Sequence, residues 1–114
     1  MCSMITGKNY IGSRLSSAGK VTFKTFNPQT NRENEPLFIE ASVAEINESV
    51  ALAEEAFKVF RNTSGARRSV FLEEIAWEIE ALGDELIQTY CEESGLPQGR
   101  AVGERGRTLF QLRS

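Results

Sequence analysis

The sequence contains no histidine, and this absence narrows its chemistry before anything else does. Imidazole is the commonest general base near neutral pH and the commonest metal ligand. Cysteine is nearly absent too, with only Cys2 and Cys91. Two thiols do not make a disulfide framework. The opening "MCSMITGKNY" lacks the basic start and apolar run of a secretory segment. The expectation is therefore a reducing cytoplasm. The glycosylation-type triplets Asn47-Glu48-Ser49 and Asn62-Thr63-Ser64 are idle in that setting. Uninterrupted apolar runs last only a few residues, so no membrane span is expected. No basic stripe with interleaved aromatics occurs, which excludes a nucleic-acid surface. Repeats, low-complexity tracts and linkers are likewise missing.

What is present reads as a globular chain of 114 residues, 40% hydrophobic and 25% charged. Net charge is −3 and unevenly spread. Residues 1–97 carry nine basic and fifteen acidic groups, a net −6, and residues 98–114 carry four Arg and one Glu, a net +3.

A composition boundary near residue 41 divides strand-like text from helical text, giving an amino-terminal strand region 1–41 and a helical region 42–114. "KVTFKTF" (20–26) alternates, with Val21, Phe23 and Thr25 on one face. "NPQTNRENEP" supplies turn chemistry, and "LFIEA" (37–41) returns as a second strand. A short strand near Asn9–Ile11 precedes them. Ser42 and Glu45 form a capping box. Val43, Ile46, Val50, Ala53, Phe57 and Phe60 then follow at spacings of three and four, one apolar stripe on a helix. Glu54 and Lys58 are placed to pair on its wet side, worth about 0.2–0.5 kcal/mol.

Ser64 caps a second helix over 66–82, with Phe71 or Leu72, Ile75, Ile79 and Leu82 inward. Gly83 reads as the residue ending it and Asp84 as the cap of a third helix. That helix carries Leu86, Ile87, Tyr90 and Cys91, and "SGLP" stops it. A fourth helix runs from Pro97 to the end, with Val102, Gly106, Leu109 and Phe110 on one side.

The residues alone form no catalytic constellation. Cys91 has no imidazole partner and reads as a buried structural thiol. The adjacent acids Glu54-Glu55, Glu73-Glu74 and Glu92-Glu93 point about 100° apart on a helix and share no proton. Gly95, Gly99, Gly103 and Gly106 match neither a dinucleotide fingerprint nor a Walker loop. Each helical glycine costs about 0.8–1 kcal/mol against Ala. Such a cost points to close approach of another backbone. Anion binding by Arg100, Arg105 and Arg107 is the competing reading.

The ordered segments "NYIGS", "FKTFNPQTN", "AEINESVALAEEAFKVF" and "RRSVFLEEIAWEIEALGDELIQTYCEESGLPQGRAVGERGRTLFQLR" resemble the amino-terminal part of the NAD(P)-dependent aldehyde dehydrogenases. The carrying motifs are the N-P-x-T turn, the alanine-paired helix ending in Phe, "LGDEL" and the E-x-G-x-P turn. "ESGLPQGRAVGERGRT" is similar to the branch that oxidises ketoglutarate semialdehyde (2,5-dioxopentanoate).

The resemblance implies a parent with the family's α/β fold, of which this mostly helical chain with its small amino-terminal hairpin is a fragment. It implies NAD or NADP as cofactor of the parent, a small aldehyde substrate, a homo-oligomer, and the remainder of the dehydrogenase chain as partner. The family's nucleophilic cysteine, general-base glutamate, oxyanion-hole asparagine and cofactor loops match nothing in these residues. No catalytic or cofactor-binding residue is therefore assigned, and Cys91 does not take the nucleophile's role. A structural monovalent cation implied by the resemblance would fall on Thr25, Phe26 and Glu104. Two other readings stay open: a free-standing helical partner-binding module, and a small anion-binding domain.

Overall fold

A computed structural model describes residues 5–114. Cys2 lies outside the described residues. Among the described residues four strands precede four helices. Strand β1 (Asn9–Ile11) pairs antiparallel with β2 (Arg14–Ser16) in the register Asn9↔Ser16 and Ile11↔Arg14. Gly12 takes a left-handed φ of 61° at the first central position of their two-residue turn. That is the position where a type II′ hairpin needs glycine. Strands β3 (Thr22–Asn27) and β4 (Arg32–Ile39) form a second two-stranded sheet.

The second hairpin is longer than the sequence suggests. Its turn occupies only residues 28–31, and Arg32–Glu35 belong to β4. The four-residue turn closes through Asn31 N–H donating to the Asn27 carbonyl at 2.8 Å. The Asn27 side-chain oxygen accepts from Gln29 N–H at 2.9 Å. Asn31 sits left-handed at φ 58°. Turn-forming residues beyond Asn31 are thus overridden by the ladder. Phe23 and Phe38 stack with ring centroids 5.6 Å apart.

Helix α1 spans Val43–Phe60, α2 Gly65–Ala81, α3 Gly83–Ser94 and α4 Gln98–Arg113. Ser42 caps α1 in a complete capping box, and Ser64 caps α2 through Arg67 N–H. Gly83 is left-handed at φ 58°, as a helix-ending residue should be. Asp84, expected to cap α3, lies instead in its first turn, with Leu82 at the cap position and no side-chain cap bond. Gly95 ends α3 at φ 72°, its N–H donating to the Cys91 carbonyl.

The chain divides into two compact units. The first holds the described residues up to Thr25 together with Glu35–Thr63. Its buried hydrophobic side chain is Ile11. Here α1 turns its polar flank toward β1 and β2. Glu45 is 3% exposed, Glu48 pairs with Arg14 at 2.6 Å, and a Cβ on Gly12 would meet Leu52 Cδ1 at 3.0 Å. The apolar stripe faces outward: Val43, Ile46, Val50, Phe57 and Phe60 are all exposed. Lys58 pairs with Glu55 at 2.7 Å rather than with the expected Glu54.

The second unit holds Phe26–Asn34 and Ser64–Ser114, and packs α4 against both α2 and α3. Ala76, Ile87 and Ala101 form its core. Small side chains let helix axes approach, and two of these three are alanines. The inward positions differ from those the spacing suggests. Phe71, Leu82, Val102 and Phe110 are exposed, while Ala76 is fully buried. Apolar size misleads here because Ala76 and Ala101, not the large residues, sit on the contact line. Nothing lies within 4 Å of a Cβ built on Gly99, Gly103 or Gly106. Among the described residues no other element approaches them, so the close contact expected there is not made.

Candidate functional site

Two constellations stand out, one in each unit. In the first, the Glu45 carboxylate is enclosed by neutral donors. Ser42 N–H reaches it at 2.8 Å and Ala18 N–H at 3.4 Å, and the Ser16 hydroxyl also hydrogen-bonds to it. The Ser16 bond foremost, then Ser42, holds its pKa down to about 2, against burial, which pushes it up. The sequence marks Glu45 as a capping residue. Its further hold on Ser16 and Ala18 follows from β2 running past the start of α1, which no local pattern discloses. A carboxylate held charged in this way is a clasp and not a general base, because it is already satisfied and disfavours a proton.

In the second unit, Arg113 from α4 spans the face of α2. Its Nη2 donates to Glu80 at 2.7 Å and its Nε to Glu73 at 3.3 Å, and the guanidinium lies 5.3 Å from the Trp77 ring centroid. Those hydrogen bonds, led by Glu80, raise its pKa further above the ordinary arginine value. Glu73, Trp77 and Glu80 at i, i+4 and i+7 were legible as one helix face. Their basic partner was not.

Cys91 is half-buried rather than fully buried. It lines two cavities, of about 490 Å³ with Asp84, Gln88 and Gln98, and of about 320 Å³ with Asn27, Gln29 and Pro97. This unit has neither histidine nor lysine, since Lys8, Lys20, Lys24 and Lys58 all lie in the other. A third cavity of about 290 Å³ is almost wholly apolar, lined by Ile79, Leu82, Leu86, Tyr90 and Ala101 with Glu104 and Arg105 among its walls.

The adjacent acids act singly, with Glu55 on Lys58, Glu73 on Arg113 and Glu92 accepting from Gln88. Arg100 and Arg105 of α4 are also engaged inside the unit, and Arg107 is exposed. Arg100 pairs with Glu104 at 3.1 Å and Arg105 donates to the Gly83 carbonyl at 3.3 Å. Gly103 and Gly106 lie inside a helix, where the backbone N–H groups serve the helical ladder, and Gly99 lies in its first turn. They do not fit the strand-to-helix cradle that a dinucleotide phosphate needs.

Thr25 and Phe26 are consecutive in β3, and Glu104 lies on α4 with its carboxylate partly exposed beside Arg100. Two main-chain oxygens and a carboxylate are the donor chemistry a hard cation favours. No group of three or more His, Cys, Asp or Glu able to hold a metal occurs among the described residues. None of the described helices is long and apolar enough to cross a membrane.

Comparison with known proteins supplies what this geometry leaves open. Residues 15–114 match the model of the aldehyde dehydrogenase family. Alpha-ketoglutaric semialdehyde dehydrogenase 2 of Azospirillum brasilense is 41% identical over 110 residues, covering 96% of this chain and 21% of that protein. An alpha-ketoglutaric semialdehyde dehydrogenase of Acinetobacter baylyi is 35% identical over 107 residues, 94% of this chain and 20% of its own length. A succinate-semialdehyde dehydrogenase [NADP(+)] 2 of Schizosaccharomyces pombe is 33% identical over 93 residues, 82% of this chain and 19% of its own. The chain thus spans about a fifth of the length of these relatives. With strands, capped helices and turns in the order the motifs foretold, the chain belongs to the aldehyde dehydrogenase family.

Proposed function

We propose that these residues are the amino-terminal segment of an NAD(P)-dependent aldehyde dehydrogenase that oxidises 2,5-dioxopentanoate to 2-oxoglutarate. The observation that carries the reading is the 41% identity to an alpha-ketoglutaric semialdehyde dehydrogenase across 96% of this chain. The segment acts as scaffold and is catalytically silent by itself. Cys91 has no imidazole or amine within its unit to activate it. The oxidation takes a hydride from the aldehyde carbon to a nicotinamide and adds water's oxygen to the acyl group. The residues for both steps belong to the rest of the enzyme. In the assembled cytoplasmic homo-oligomer, the main-chain oxygens of Thr25 and Phe26 and the carboxylate of Glu104 would hold a structural monovalent cation.

The test is an assay of the purified 114-residue chain, and of a full-length enzyme carrying it, with 2,5-dioxopentanoate and NAD or NADP. The expected result is turnover in the full-length enzyme and none in the isolated chain. Turnover by the isolated chain, or a full-length enzyme indifferent to this aldehyde, would overturn it.

A further inference from the structure

We draw no further inference here: the strongest candidate, the almost wholly apolar cavity of the second unit that Ile79 of α2, Leu86 and Tyr90 of α3 and Ala101 of α4 line, carries nothing because nothing in the structure shows what covers it.

Discussion

The two units of this chain hold together by opposite means. The first is clasped: a buried carboxylate gathers Ser16, Ala18 and Ser42, and its helix faces outward with its apolar side. The second is packed: alanines and Ile87 bring three helices together, and an arginine ties the rim. A clasp is polar and local, so one group governs it. A packed seam is distributed and answers to volume. Substitutions in the two units should therefore fail in different ways.

The largest effect is expected at the seam. Ala76→Leu forces a larger side chain into a fully buried position and should destabilise the second unit by about 1–3 kcal/mol. Urea unfolding checks it, and amides of α1 should keep their exchange rates. If α1 loosens equally, the contrast between the units is broken.

Next is the clasp. Glu45→Gln keeps the shape and removes the charge that the donors select. Amides at the start of α1 should exchange at least about tenfold faster, with the second unit unmoved. The pH dependence sharpens this. The Glu45 pKa is lowered from 4.5 to about 2, so its contribution is present above the ordinary value. It is lost as pH falls from there toward about 2. Exchange across α1 followed through that window should show the loss in the native chain and a flat response in the Gln variant.

How much of this was legible depended on whether the signal was local. The capping box of α1, the Asn27-Pro28 opening of the hairpin turn and the left-handed Gly83 and Gly95 were readable, because each is set by a few neighbouring residues. The rotation of α1 was not. Its 3.6 period predicts an inward apolar face, and the clasp from β2 decides otherwise. The core of the second unit was misread for a related reason. Large apolar residues on α2 and α4 outrank alanine in any hydrophobic count, yet close helix contact selects alanine. The family was legible from ordered motifs, while the residues of the Arg113 tie come from helices 33 and 40 positions apart.

Two smaller effects test the edges of the contrast. Gly103→Ala should stabilise α4 by up to about 1 kcal/mol in the isolated chain, since the new Cβ meets nothing. A thermal melt that falls instead would place a neighbour against that face. Arg113→Gln breaks a partly exposed tie and should cost only about 0.5–1 kcal/mol in a urea titration. A larger loss would make the second unit clasped as well.

The Gly95 turn carries one more consequence, and it concerns time. A Cβ at Gly95 would meet Pro28 Cγ at 2.6 Å and Gln29 N at 3.2 Å, and Asn34 Nδ2 donates to the Glu92 carbonyl at 3.1 Å. The hairpin tip therefore belongs to the second unit, although it is made long before the helices that hold it. On a ribosome, residues as far as Thr63 can complete the first unit while the tip waits for Glu92 and Gly95 to emerge. Closing that separation carries the entropy of a long loop, so the expected order is the clasped part first and the packed part after Glu92 and Gly95 have emerged.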